Sequence, residues 1–190
     1  MSRKLTLVSV LLAVAVVAPG LAPADSGMTK GIKVGVNLAT ASGSDATPPA
    51  GVTKSMRVGL ALGGFVGIGA GPLTIQPEVL YSMKGVVYKA TFFGITGTST
   101  EQLNYLDIPI LVKYDLAPAP TKISIYAGPS LGILLSANEK FEVTGLGSTT
   151  ADIKDSVNST DIGIVVGAGV GLAGGISIDA RYQVGLSSVP

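Results

Sequence analysis

Ten ionisable side chains lie inside segments that otherwise alternate between polar and apolar residues. They are Lys33, Arg57, Lys84, Lys113 and Arg181, opposed by Glu78, Asp107, Asp115, Asp161 and Asp179. Each lies on the face of its segment that is rich in Gly, Ser and Ala. Such groups could form a selective ion path or an acid–base pair, or they could simply pair with one another. Because five cations meet five anions, we favour a mutually paired structural network, since one unpartnered buried charge costs about 3–5 kcal/mol.

The residue types that most often carry catalysis or bind metals are absent. The chain has no His and no Cys, which excludes Ser-His and Cys-His catalysis, HExxH zinc sites and thiolate metal sites. GVGLAG, from Gly169 to Gly174, fits the letters of a dinucleotide fingerprint, but that fingerprint requires a helix after the glycines. Another strand-like segment follows here. We therefore expect no enzyme activity, no cofactor and no metal.

The alternation defines the elements that hold the charged residues. Seven segments after residue 24 have a period of two, with Ile, Val, Leu or Tyr on one face and small or charged residues on the other. No segment in this region keeps the 3.6-residue period of a helix. The chain is therefore predicted to be all-β. The seven predicted strands are GIKVGVNLAT, MRVGLALGGFVGIG, LTIQPEVLYSMKG, NYLDIPILVKYDL, KISIYAGPSLGILL, DIGIVVGAGVGL and ISIDARYQVGL.

Long and short connections alternate between these strands. Polar segments at residues 41–55, 87–103 and 137–160 separate the first strand from the second, the third from the fourth and the fifth from the sixth. GAGP, APAPT and AGG make the other connections. Outer-membrane barrels combine short periplasmic turns with longer extracellular loops. The pattern predicts an antiparallel up-and-down transmembrane β-barrel, with the three long segments as loops that could contact an extracellular or envelope partner.

Charge content indicates which face of the barrel is outside. Only 13% of the residues are Asp, Glu, Lys or Arg, against about 25% in soluble globular domains. An apolar face turned inward would leave an outer surface of mostly glycine with little charge to solvate it. We therefore expect branched aliphatic residues to contact membrane lipid and the small and charged residues to fill a narrow lumen. The alternative, a soluble lipocalin-like barrel that binds an apolar ligand, requires the opposite orientation.

Aromatic residues give two further expectations. Phe92 and Phe93 lie in the second long segment, where they either pack within a loop or contact a partner. Four tyrosines are placed for an aromatic girdle at the membrane surface. These are Tyr81, Tyr105, Tyr114 and Tyr182.

The N-terminal region has the features of an export signal. Arg3 and Lys4 precede a mostly apolar stretch that runs to Ala18, and a small-residue site, APA, ends at residue 24. The stretch is shorter than the roughly 20 residues that cross a bilayer as a helix. We expect residues 1–24 to be a cleaved signal peptide and residues 25–190 to be the barrel domain. Basic and acidic residues number 13 and 12, so no basic surface suggests nucleic acid as a partner.

Several of these strands together resemble a known family. GIKVGVNLAT, IQPEVLYSMKG, LNYLDIPILVKYDL, IYAGPSLGILLSA and SIDARYQVGLSSV occur in this order. Over residues 31–188 they resemble the outer membrane protein beta-barrel domain of PorT-like proteins. The resemblance implies a small eight-stranded barrel in the outer membrane of a Gram-negative bacterium, with no shared catalytic residues. Seven strands are one short of the even number that such barrels have, so we expect an eighth, closing strand to follow Pro190.

Overall fold

The fold is an antiparallel β-barrel with one extended wall. The computed structural model describes residues 6–17, 27–42, 48–116 and 122–187. The strands are β1 (Thr6–Val17), β2 (Met28–Ser42), β3 (Val52–Ala70), β4 (Leu73–Phe92), β5 (Ile95–Asp115), β6 (Lys122–Val143), β7 (Gly147–Asp152), β8 (Thr160–Gly171) and β9 (Ile176–Gly185). Short 3₁₀ turns occupy Lys154–Ser156 and Ala173–Gly175. Among the described residues, no helix has the length and hydropathy needed to cross a bilayer.

Eight of the nine strands in the described part of the chain form a closed ring. Strands β1 to β6 pair in sequence order, β6 pairs with β8, β8 pairs with β9, and β9 returns to β1. The hairpin strand β7 pairs with β6 at the edge of this ring. Every pairing is antiparallel, and closure gives each strand of the ring a hydrogen-bonded neighbour on both sides, as the hydrocarbon of a membrane requires. The prediction of an all-β, up-and-down barrel is confirmed.

The eighth strand of the ring comes from the N-terminal region. Val14 of β1 lies opposite Val34 of β2 and opposite Ile178 of β9. The prediction that the chain supplies only seven strands is therefore wrong. The reason is that the apolar leader also alternates, with branched residues on one face and mostly small ones on the other, so it can pair as a strand. Cleavage after residue 24 stays a prediction, and residues 1–5, 18–26 and 188–190 lie outside the described residues.

The branched aliphatic residues cover the outside of the barrel. Ile178, Val112 and Ile164 are each about half exposed, whereas Asp179 is buried in the lumen and Lys113 is partly buried. Contact with lipid explains an exterior made of such residues. The predicted orientation is confirmed. The lipocalin-like alternative is wrong, because it requires these aliphatic side chains to be inside.

The four tyrosines do not share one environment. Tyr81, Tyr114 and Tyr182 are exposed on the outer face of the barrel. Tyr105 is almost fully buried in the lumen. Side chains two residues apart on a strand point to the same face, and Asp107 points into the lumen. The expectation that Tyr105 joins an aromatic girdle is wrong.

Two of the three predicted long loops are mainly strand. β4 and β5 are 20 and 21 residues long and meet at the two-residue turn Phe93-Gly94, so residues 87–103 form a hairpin. Residues 137–160 complete β6 and form β7 and a 3₁₀ turn before β8 begins. Residues 41–55 include the end of β2 and the start of β3, and residues 43–47 lie outside the described residues. About 9–11 residues of a strand cross the hydrocarbon, so β4, β5 and β6 each extend about ten residues beyond it. We call the part of the barrel formed by these extensions the extended wall.

Glycines allow neighbouring strands to approach closely inside the barrel. A Cβ atom on Gly128 would overlap the backbone oxygen of Ile110, whereas one on Gly64 would meet only the backbone oxygen of Gly31, at 3.4 Å. We expect Gly128→Ala to lower the free energy of unfolding by about 1–3 kcal/mol, since a backbone atom has to move. Gly64→Ala is the matched control and should change it far less. Urea unfolding in detergent micelles measures both, and equal effects would contradict the close approach.

Candidate functional site: the barrel lumen

The first lumen cluster is centred on Glu78. Its Oε1 atom accepts hydrogen bonds from Lys33 Nζ at 2.8 Å and from Gln76 Nε2 at 2.6 Å, and its Oε2 accepts one from Arg181 Nη2 at 2.8 Å. The Glu78 side chain is fully buried. β4 and β9 are four strands apart in either direction around the ring of eight, so the Glu78–Arg181 ion pair spans the full width of the lumen.

Neighbouring groups hold this cluster in place. Asp179 Oδ2 lies 3.8 Å from Lys33 Nζ and accepts a hydrogen bond from the Ser177 hydroxyl at 3.3 Å. Two aromatic rings add cation–π contacts, which are stronger in a site shielded from water. The Lys33 ammonium lies 5.8 Å from the ring centre of Phe65, and the Arg181 guanidinium lies 5.9 Å from that of Tyr126.

The second lumen cluster lies closer to the long β4–β5 hairpin. Lys84 Nζ is 2.9 Å from Asp107 Oδ2 and 5.2 Å from the ring centre of Tyr105. Arg57 donates from Nη1 to the backbone oxygen of Lys84 at 2.5 Å. Asp161 is also buried, and in the described part of the chain its Oδ1 atom has no hydrogen-bond partner. The Tyr105 hydroxyl is likewise without one.

The remaining two predicted residues lie near the opposite rim. Asp115 is partly buried and lies 3.8 Å from Nζ of the largely exposed Lys122, and Lys113 Nζ lies 5.6 Å from the ring centre of Tyr126. These side chains line a cavity of about 350 Å³ that also reaches Lys33. The ten predicted residues therefore divide between two buried clusters and a rim group. Within the described residues, no group of three or more Asp or Glu could hold a metal ion.

The extended wall carries an exposed aromatic surface. Phe92 and Phe93 are 73% and 98% exposed, and their rings meet edge to face with centres 5.9 Å apart. Phe93 has a φ of 48° in the hairpin turn, a conformation that bulky residues rarely adopt. Together with Ile95, Phe141 and Val143 they line an apolar depression of about 500 Å³, which we call the outer aromatic face.

Comparison with known families assigns the chain. The family model described as "Outer membrane protein beta-barrel domain" matches residues 24–189. The chain belongs to this family. As an outer membrane β-barrel domain it is a protein of the bacterial outer membrane. The matched range contains seven strands of the closed ring and leaves out β1.

Solved structures resemble this outer membrane β-barrel domain only distantly. The translocator domain of the autotransporter NalP from Neisseria meningitidis is 10% identical, with a TM-score of 0.42 and coverage of 97% of this chain and 88% of that one. A double mutant of the Rh. blastica porin is 7% identical, with a TM-score of 0.13 and coverage of 96% and 99%. Neither likeness bears on function. No curated protein matches the chain.

Several groups that line the lumen of the β-barrel domain were not among the ten predicted residues. Gln76, Tyr105 and Tyr126 contact the buried charges, and Phe65 packs beside Lys33. Side chains an even number of residues apart on a strand point to the same face. This rule could have placed all four in the lumen, because each is an even number of residues from a predicted lumen charge or from a small residue on that face. GVGLAG ends β8 and enters the turn before β9, so no helix follows its glycines.

Proposed function

We propose that this protein is a non-catalytic membrane anchor that presents an extended β-sheet outside the outer membrane for contact with an envelope or extracellular partner. The observation that carries the proposal is the contrast between a lumen crossed by Glu78 and Arg181 and a wall that continues far past the membrane. The PorT-like resemblance supports placement in a Gram-negative bacterium. We also propose that residues 1–24 direct export and are then removed.

The engaged charges of the lumen favour a structural role over catalysis. Glu78 and Asp107 each pair with a cation inside the barrel, so neither is poised as a free general base. Ser and Thr side chains could act as nucleophiles only with a base to activate them, and the chain has no His. The proposal therefore assigns the protein no reaction.

A closed lumen should also carry no current. Eight strands enclose little more than their own side chains, and here an ion pair crosses that space. We expect the full chain to give no steady single-channel conductance in planar bilayers, at any voltage the bilayer withstands. Stepwise currents that scale with the amount of protein would contradict the closed lumen and favour a pore.

The outer aromatic face is the surface that best fits a contact role. Exposure of apolar side chains to water is unfavourable, so a patch of aromatic side chains on an otherwise polar extension is typical of an interaction site. The positive φ of Phe93 also supports a contact role, because strained backbone conformations are retained mostly where function needs them. The proposed partner contact is therefore at the β4–β5 hairpin rather than in flexible loops.

Cysteine labelling can test both the placement and the contact, because the chain has no native Cys. We expect Phe93→Cys to react with a membrane-impermeant maleimide in intact cells, and Leu172→Cys, at the opposite end of the barrel, to react only after lysis. A bound partner should slow labelling of Phe93→Cys in cells relative to purified protein. Ser156→Cys, exposed in the 3₁₀ turn after β7, is the control that should not be slowed.

Reversed labelling of Phe93→Cys and Leu172→Cys would contradict the proposed orientation in the membrane. Equal labelling rates at Phe93→Cys in cells and in purified protein would contradict a partner at the outer aromatic face.

A further inference from the structure

The rim cavity, at the end of the barrel opposite the long β4–β5 hairpin, is open on one side and closed on the other. Its mouth is formed by Leu172 and Gly175 at the β8–β9 turn and by Lys122 at the start of β6. Its inner end reaches Lys33, whose ammonium pairs with Glu78 at 2.8 Å. The volume is about 350 Å³, and small-molecule sites have about 300–1,000 Å³. The cavity is therefore a dead-end chamber of the size that holds a small ligand.

Lys113 is a cation of this cavity that has no counter-charge. Its ammonium lies 5.6 Å from the ring centre of Tyr126, but among the described residues it makes no ion pair and no hydrogen bond. Asp115, the carboxylate nearest to it in the sequence, lies instead 3.8 Å from Lys122 Nζ. Lys33, by contrast, is paired with a carboxylate. An ammonium has three N–H donors, so Lys113 can donate to a bound ligand.

Hydroxyl groups lie on both strands that neighbour Lys113. Thr74 of β4 is directly opposite Lys113 of β5, and Ser124 of β6 is directly opposite Asp115, two residues further along β5. Directly opposed residues of antiparallel strands have Cβ atoms about 4.5–5.5 Å apart, so Thr74 lies beside Lys113. Both hydroxyl side chains line the cavity, and neither makes a hydrogen bond within the described part of the chain. The wall therefore combines an unpaired ammonium with unused hydroxyl groups.

The lining favours a polar, negatively charged ligand. Only four of its seventeen described residues are apolar, so it has no apolar channel for an acyl chain. Three lysines and two aspartates leave one positive charge in excess, and charges enclosed by protein are screened less than charges on a surface. The described lining contains no arginine, the residue whose planar fork matches a carboxylate, whereas lysine binds phosphate as a point charge. The charged residues are Lys33, Lys113, Lys122, Asp115 and Asp179.

We propose that the rim cavity binds a small soluble phosphorylated sugar or polyol, with its phosphate at Lys113 and its hydroxyl groups at Thr74 and Ser124. The ammonium donates charge-assisted hydrogen bonds to phosphate oxygens. Ser and Thr hydroxyls both donate and accept, so they match the hydroxyl groups of the ligand. In the orientation of the proposed function this rim faces the periplasm. The compartment of the ligand rests on that orientation, but the binding does not.

The site does not depend on retention of residues 1–24. That region contributes only the Ala15 methyl group to the lining. The three residues assigned to the ligand lie on β4, β5 and β6, which pair with one another and not with β1. The proposed partner contact lies at the opposite end of the barrel, so loss of the rim site would leave that proposal standing.

Titration calorimetry of the full chain, refolded in dodecyl maltoside micelles, tests the class of ligand. The probes are glucose 6-phosphate, glucose and inorganic phosphate. We expect saturable binding of glucose 6-phosphate, about tenfold or more tighter than binding of either other probe, since each of these lacks one set of contacts. Absence of glucose 6-phosphate binding would overturn the proposal. Equal affinity for glucose or for inorganic phosphate would overturn the assigned class of ligand.

Two lysines near the same rim test the position of the phosphate. Lys113→Gln should weaken glucose 6-phosphate binding about tenfold or more, because a hydrogen-bonded charge is lost. Lys30→Gln is the matched control, because Lys30 is directly opposite Val66, which is exposed on the outer face. It removes the same charge outside the cavity and should change the affinity by about twofold or less. Equal effects of the two substitutions would overturn the assignment to Lys113.

A second variant keeps every lysine in place and tests the hydroxyl contact. Ser124→Ala should weaken glucose 6-phosphate binding about fivefold and leave the affinity for inorganic phosphate unchanged. Thermal unfolding without ligand shows that Ser124→Ala and Lys113→Gln are folded before they are titrated. Unchanged glucose 6-phosphate affinity in folded Ser124→Ala would overturn the hydroxyl contact, and an equal loss for both probes would mean that the substitution disturbs the phosphate position instead.

Discussion

Replacing Glu78 with alanine is expected to lower the free energy of unfolding by about 3–5 kcal/mol. The Glu78 carboxylate accepts hydrogen bonds from Lys33, Gln76 and Arg181, and all of these groups are buried. Removing it leaves two cations without their main counter-charge in a space that water does not readily reach, which is the costly way to break a buried ion pair. Urea unfolding of the refolded chain in micelles, followed by the heat-dependent shift in gel mobility, measures the loss.

Glu142 provides a matched control for this substitution. It pairs with Lys140 at 3.1 Å, but its side chain is about half exposed on the extended wall. Exposed pairs contribute about 0–1 kcal/mol, so Glu142→Ala should change stability little. If Glu78→Ala and Glu142→Ala have similar effects, the Glu78 cluster does not hold the lumen together.

The class of the fold and the orientation of its faces could be predicted from the sequence. Strand parity is a local property, so the alternation around Asp179 or Val112 is enough to state which side chains share a face. The scarcity of charge then decides which face meets lipid. Both predictions are confirmed, because neither needs knowledge of which strands meet across the barrel.

Partners across the lumen could not be predicted in the same way. Glu78 and Arg181 are 103 positions apart, and their contact depends on the number of strands in the ring and on the register of each pair. The alternation within the predicted strands indicated five cations and five anions on the lumen face but not their division into separate clusters. Lys122, which pairs with Asp115, was missed because it lies at the first position of its strand.

The extended wall was misread because polarity and loop structure were treated as equivalent. Residues 87–103 include four Thr and two Phe, residue types that favour strands even when both faces are wet. Outside the membrane neither face of a strand needs to be uniformly apolar, so period-two alternation fades while the hydrogen-bonded ladder continues. The strand at Thr6–Val17 was not predicted for the converse reason, since its alternation between branched and mostly small residues was taken only as hydrophobicity.

A cation at the middle of the outer face should be far more costly than one near the rim. Val166 lies at the centre of β8, and Ile162 lies four residues nearer its start, on the same exposed face. In a lipid-facing wall, an arginine costs about 2–4 kcal/mol at the midplane of the bilayer and about 0–1 kcal/mol near the interface. The depth of the substituted residue, rather than its chemistry, therefore sets the expected effect.

We thus expect Val166→Arg to lower the free energy of unfolding from lipid vesicles by about 2–4 kcal/mol and Ile162→Arg to lower it by about 1 kcal/mol or less. Guanidinium titration of protein refolded into vesicles, followed by intrinsic tyrosine fluorescence and protease protection, measures both. The two variants remove similar apolar side chains from one strand, so loss of packing alone predicts equal effects. Equal effects, or a gain in water solubility without loss of stability for either variant, would mean that this face contacts water rather than hydrocarbon.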